Sequence, residues 1–173
     1  MNVIPESQSL LQAVTDILEK IDPQAPQTIL DRIQSARALF IAGAGRTGYI
    51  ARAFAMRLMH LGFLVHIVGE TTSPAPTEKD LLIAFSGSGE TLSTCEVEAR
   101  ALARDVPTLA ITANPESRLA QEAHDMVVLP VGPNDFPLGT LFEACLYVFL
   151  DSCILSFQRI LTVSDQDMSR RHA

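Results

Sequence analysis

Cysteine is scarce and unpatterned in this chain. Cys95, Cys145 and Cys153 are an odd number, no two form a CxxC pair, and all three fall in apolar helical stretches. They read as reduced core residues, which sets aside a disulfide framework and a cysteine-built metal centre. His, Asp and Glu do not cluster at metal-ligand spacing either, so no metal site is expected. Basic clusters are missing too: the net charge is −7, and apart from Arg170-Arg171-His172 the cations are scattered. Nothing draws such a protein as a whole to nucleic acid or anionic lipid, although a small phosphorylated metabolite answers to local donors. The longest apolar run, residues 144–157, is broken by Asp151 and is short for a bilayer span. The opening MNVIPESQ lacks the basic-then-apolar pattern of an export signal. The expectation is a soluble, cytoplasmic protein with no membrane partner. A GxSxG hydrolase signature and a Walker loop are also absent.

What is present is a chain of 173 residues, 47% apolar, enough for one domain with a sizeable core. Leu10, Leu11, Val14, Ile17, Leu18 and Ile21 recur at helical spacing and give a first helix ending near Asp22-Pro23. Ile29, Leu30 and Ile33 mark a second near 26–34. Then the period changes. LFIA (39–42), VHIV (65–68), LLIAF (81–85), TLAI (108–111) and MVVL (126–129) are short apolar runs bounded by Gly, Pro, Asp or Asn. Helical stretches at 47–61, 89–104, 117–123 and 139–161 separate or follow them. Strands without alternation are buried on both faces, as in a parallel sheet between helical layers. The expected fold is α/β: a single doubly wound five-stranded parallel sheet flanked by helices, flavodoxin-like, with two leading N-terminal helices. Residues 1–36 would carry those helices, 37–161 the α/β core and 162–173 a C-terminal tail.

Ligands of a doubly wound sheet bind beyond the carboxyl ends of its strands, and two glycine loops sit at such ends. Gly43-Ala44-Gly45-Arg46-Thr47-Gly48 is a literal GxGxxG. Glu70 follows it by about 20 residues, the spacing of the acid that holds a ribose in dinucleotide sites. This loop alone admits a dinucleotide, another anion or a tight structural turn. Arg46 suits a compact anion better than a pyrophosphate lying close to the backbone. The second loop is Ser86-Gly87-Ser88-Gly89-Glu90-Thr91. Its glycines let N–H groups turn inward, the following helix N-terminus adds donors, and three hydroxyls add more. A phosphate monoester fits such a nest, whereas a plain N-cap needs one hydroxyl. Glu90 would repel the ligand if it pointed inward, and is expected to face away.

AGAGRTGYIARAFAMRLMHLGF (42–63), VGETTSPAP (68–76), SGSGETLS (86–93), PLGTLFE (137–143) and the closing RRHA (170–173) together resemble the 6-phospho-3-hexuloisomerase family of sugar isomerase (SIS) domains. The resemblance runs through nearly the whole chain. SGSGET is shared widely among SIS proteins, while PLGTLFE and the late Arg-His-Ala are more discriminating. The resemblance implies interconversion of D-arabino-hex-3-ulose 6-phosphate and fructose 6-phosphate, the second step of formaldehyde fixation in the ribulose monophosphate pathway. It implies no metal or organic cofactor, and a homotetramer with active sites shared between subunits. By motif, Ser86, Gly87, Ser88, Gly89, Glu90 and Thr91 hold the phosphate, and Gly45, Arg46 and Thr47 line the sugar site. Glu143 matches the base, and His172 a residue that reaches an active site from a neighbouring subunit. GRTG stands here where the family commonly has GRSG, which keeps the hydroxyl and adds a methyl. The chain also ends at Ala173, a few residues short of its relatives.

Moving a carbonyl from C3 to C2 requires a proton off C2, an enediol, and a proton onto C3. One carboxylate over that edge can carry the proton both ways. Glu143 fits, but Thr140-Leu141-Phe142-Glu143 is equally a capping box in which the glutamate serves a backbone N–H. His172 carries the side chain suited to proton transfer near neutral pH, as in opening the fructose 6-phosphate ring; by position alone it is a solvated chain end. His60, closing a helix, reads as a cap of its carbonyls. The helix at 139–161 is apolar almost all round and is expected to be both core helix and subunit interface. Three other readings stand beside this one: another SIS isomerase acting on a heptulose or pentulose phosphate, a non-catalytic sugar-phosphate-binding regulator, and dinucleotide binding at GAGRTG.

Overall fold

The computed structural model describes residues 3–172. Helices α1 (Ile4–Leu18) and α2 (Ala25–Ser35) lead into β1 (Leu39–Gly43), α3 (Gly45–Leu61), β2 (Val65–Ile67) and β3 (Leu81–Phe85). Then come α4 (Leu92–Leu102), β4 (Thr108–Thr112), α5 (Arg118–Glu122), β5 (Asp125–Val128), α6 (Thr140–Ile160) and α7 (Asp165–Arg171). The five strands are parallel, in the order β2-β1-β3-β4-β5. The expected sheet is therefore present, with strand limits shifted by no more than a residue.

Successive side chains divide between two helical layers, which is why the apolar runs do not alternate. Leu39, Ile41, Leu81, Ile83, Phe85, Leu109 and Ile111 face α1, α2, α3 and α6 in the larger core. Phe40, Ala42, Leu82, Ala84 and Ala110 face α4 and α5 in the smaller one. Ile29 and Ile33 of α2 are fully buried. Such side chains contribute about 1.5–3 kcal/mol each, so the leading helices belong to the core.

The strand order reverses between β1 and β3: the chain crosses to β2 on one side, then returns past β1 to build the other half. The loops after β1 and β3 therefore diverge and leave a crevice between them. Helix α3 sits tightly on β1 because Gly48 has no side chain; a Cβ there would come within 2.5 Å of the Gly43 carbonyl oxygen.

Three expectations need correction. The helix after β3 begins at Leu92, since residues before it form the loop, and the first helix stops at Leu18. The stretch 162–173 contains a helix: Ser164 and Asp167 form a reciprocal capping box that opens α7, and α7 packs on α3. Helix α6 is long and apolar enough to cross a membrane by length and composition, yet it buries Leu146, Phe149, Leu150, Cys153 and Phe157 in the larger core. The three cysteines are free and buried. Burial pushes the Cys145 thiol up to about 11 and Cys153 to about 12, which suits packing and not nucleophilic chemistry.

Candidate active site

Beyond β3 the chain turns at Ser86, which is buried. Its Oγ accepts the Gly89 N–H at 3.0 Å and lies 2.8 Å from Thr91 Oγ1 and 3.5 Å from Ser88 Oγ. Ser88 Oγ accepts the Glu90 N–H at 3.2 Å. Three hydroxyls thus gather at the N-terminus of α4. Thr91, its N-cap, makes no side-chain capping bond, which leaves first-turn donors and the helix dipole to a ligand. Gly89 is left-handed at φ +68, and a Cβ there would lie 1.9 Å from Ser117 Oγ. The N-cap of α5 fills the space of the missing side chain. Glu90 turns away: its Oε1 accepts the Arg118 N–H of α5 at 2.8 Å. It belongs to the loop through its backbone, with its charge directed elsewhere.

The first turn of α6 presses on this loop. The Phe142 ring covers Gly87 so closely that a Cβ would meet it at 2.9 Å, and Glu143 follows Phe142. The capping box does not form. The helix starts one residue earlier than that motif requires, with Gly139 as N-cap, and Thr140 Oγ1 donates to the Pro137 carbonyl at 2.7 Å. Glu143 is left without a capping duty. It is buried and lies over Gly139, whose Cβ would sit 3.4 Å from its Cδ. From the first turn of α3, Arg46 brings Nε within 2.9 Å of Glu143 Oε2. The pair is close but not aligned as a hydrogen bond, so Oε2 retains its accepting capacity. The Arg46 side chain is 68% exposed and has room to turn toward a ligand.

Gly45, at φ +55, and half-buried Thr47 flank Arg46. Glu70, the acid at dinucleotide spacing, is held by Arg52, Nη1 to Oε1 at 2.5 Å. The GAGRTG loop thus presents its charge to Glu143, and the distant acid is occupied. A cavity of about 590 Å³ lies away from this meeting point, over Phe40 and Leu82, between α4 and the segment 73–76; the convergence of charged and hydroxyl groups is elsewhere, at the two loops.

His172 is not brought to the Glu143 of its own chain. Helix α7 docks at the far end of α3, where Arg171 Nη1 donates to the His60 carbonyl at 2.9 Å. The His60 and His172 rings stack at 5.2 Å. From Arg46 to His60 the helix rises roughly 20 Å. Ala173 lies outside the described residues. His60 does not cap carbonyls with its ring either: Gly62 ends α3 in a left-handed turn, its N–H reaching Leu58 and Met59. Burial holds the His60 imidazole below its ordinary value, with His172 and Arg57 acting in the same direction. Sequence reasoning missed Ser117 and Phe142 as parts of the site. Ser117 does read as an N-cap after Asn114-Pro115, but its contact with Gly89 has no local signal.

A doubly wound sheet with these two loops at its switch point defines a class, the sugar isomerase domains. The SIS domain model matches residues 32–155. The 3-hexulose-6-phosphate isomerase of Bacillus subtilis is 39% identical over 162 residues, covering 88% of each chain. That of Methanocaldococcus jannaschii is 41% identical over 147 residues, covering 84% of this chain and 81% of its own. The crystal structure of a hypothetical protein from Methanococcus jannaschii, for which a molecular function of 3-hexulose-6-phosphate isomerase was inferred, matches with a TM-score of 0.89. It is 34% identical and the match covers 98% of each chain. The chain belongs to the SIS-domain family, among its 3-hexulose-6-phosphate isomerases, and is a sugar-phosphate isomerase.

Proposed function

We propose that the protein interconverts D-arabino-hex-3-ulose 6-phosphate and fructose 6-phosphate, with Glu143 as the base. The observation that carries this reading is the meeting of Glu143 and Arg46 beside the 86–91 loop. The phosphate held by Ser86, Ser88, Thr91 and the loop amides fixes one end of an open-chain sugar and lays its C2–C3 edge across the carboxylate. Glu143 takes the proton from C2, the C2 electrons form the C2–C3 double bond, and O3 is protonated to give the enediol. O2–H then loses its proton as the C2 carbonyl forms, and Glu143 returns a proton to C3. The Arg46 guanidinium, already at Glu143, offers donors to O2 and O3 as charge passes between them. This is the second step of formaldehyde fixation by the ribulose monophosphate route, a cytoplasmic reaction.

Offered hex-3-ulose 6-phosphate without added metal, the purified protein is expected to form fructose 6-phosphate. A folded protein that binds the sugar phosphate and leaves it unchanged would keep the phosphate loop and reject the reaction, favouring a regulator. Faster turnover of a heptulose or pentulose phosphate would redirect the substrate.

We further place His172 at the site of a neighbouring copy in a homotetramer. Its separation from its own Glu143 supports this, as do exposed apolar side chains: Tyr147 and Leu155 on α6, Leu11 on α1, and Leu138, 99% exposed and left-handed at φ +53. Glu143→Gln and His172→Ala should each depress turnover. Co-expressed in one cell they should regain activity, because some mixed sites then hold both native residues. Mixed oligomers no more active than either variant alone would remove His172 from the site.

A further inference from the structure

The inner face of α4 carries Thr94, Cys95, Glu98 and Ala101, all buried. Three of these suit a helix lying on a sheet; a glutamate with no exposure does not. Neither carboxyl oxygen of Glu98 has a hydrogen-bond partner. The strands beneath present Phe40, Ala42, Leu82, Ala84 and Ala110, together with Thr108 and the His124 ring bound to it. Helix α5 brings Arg118 and Glu122, but these two are paired with each other, Nε to Oε1 at 2.9 Å. Cys95, one turn earlier on α4, has its thiol pushed up first by burial. Burial, and then the Glu122 charge, push the Glu98 carboxyl up to about 8, against the pull of Arg118. At neutral pH an uncharged acid therefore fills the seam between α4 and α5.

That seam runs into the phosphate loop. Cys95 Sγ donates to the Gly89 carbonyl at 3.4 Å, and the Leu119 N–H donates to the same oxygen at 3.1 Å. Arg118 N–H donates to Glu90, and Ser117 fills the space beside Gly89. If α5 moves away from α4, the three contacts made by Ser117, Arg118 and Leu119 go with it, and of the four only the Cys95 bond from α4 still holds Gly89. We propose that Glu98 is a positioning residue for the 86–91 loop: uncharged, it lets α5 close on α4 and seat Gly89 and Glu90, and ionised, it opens the seam and weakens phosphate binding. The proposal rests on that loop being the phosphate site. The sign follows from burial. The uncharged form prevails at lower pH, and affinity falls by up to about tenfold per pH unit as the carboxylate forms. By linkage, a bound anion raises the pH at which the change occurs.

Sulfate, whose charge is constant across the range, is the probe. Calorimetric titration is expected to show the wild-type affinity falling about tenfold between about pH 7 and about pH 9.5. Glu98→Gln, uncharged throughout, should hold its affinity across the same interval. Glu98→Met, similar in length and without a polar head, serves if the amide variant fails to fold. Under turnover, the alkaline change should fall on KM and spare kcat, a split that a general loss of stability would not produce. Equal alkaline weakening in wild type and variants, or a wild-type affinity that stays level, would overturn the role of Glu98. No sulfate binding at any pH would overturn the phosphate-loop reading, and this inference with it.

Discussion

Glu143→Gln is expected to lower kcat by about 100- to 10,000-fold while leaving sugar-phosphate affinity nearly unchanged. Glutamine keeps the length and planarity of the side chain but cannot accept the C2 proton. The proposed phosphate anchor lies on other elements, in the 86–91 loop, and Phe142 would still cover Gly87. Glu143 takes no part in a capping box, so the exchange removes no helix cap, and the thermal midpoint should move little. The exchange does release Arg46 from its ionic partner, and Glu143→Asp separates that effect. Aspartate keeps the charge and withdraws the carboxylate by about 1 Å, a misplacement that costs roughly 100-fold in a positioned reaction. A large loss in both variants identifies position and basicity together as the requirement. Full activity in Glu143→Gln would exclude the carboxylate as base and leave it as a partner for Arg46.

The sheet was legible because its strands are covered on both faces. LLIAF and TLAI could be read without alternation, and Gly, Pro and Asn punctuated their ends. Both site loops were visible as glycine clusters at strand ends. Whether Glu143 caps its own helix was not, because two readings differed by one residue in where α6 begins. Leu138 in a left-handed turn and Gly139 as N-cap decide that start, and a hydroxyl at Thr140 pointed the other way. Helix α7 carried its signal in Ser164 and Asp167, but it buries no residue, so no apolar period announced it. Glu98 sits in CEVEAR, which looks like the solvated face of a helix; only the packing of α5 on α4 shows it is interior. The separation of His172 from its own site depends on the length of α3 and on which end receives α7. Both are tertiary facts.

Gly89→Ala should weaken phosphate binding about 100-fold or more, through two costs that can be measured apart. An alanine at φ +68 bears a left-handed penalty of about 1–2 kcal/mol. Its Cβ would also lie 1.9 Å from Ser117 Oγ and 2.3 Å from Ser117 Cβ. Rotating the serine does not help, because its Cβ is fixed by the backbone and its Oγ donates to the Asn114 carbonyl at 2.7 Å. Either the loop or α5 must therefore move, and with it Glu90, Leu119 and the amides that would hold the anion. Adding Ser117→Ala leaves the 2.3 Å contact and should restore nothing. Adding Ser117→Gly removes both atoms and costs α5 only a few tenths of a kcal/mol, since glycine is an acceptable N-cap. The Gly89→Ala/Ser117→Gly pair should then bind about 5- to 30-fold more weakly than wild type, the backbone penalty alone. Sulfate affinity checks all four proteins on one scale. No recovery with Ser117→Gly would show that the loop fails for a reason other than the contact with α5, and that the phosphate nest stands independently of the helix beside it.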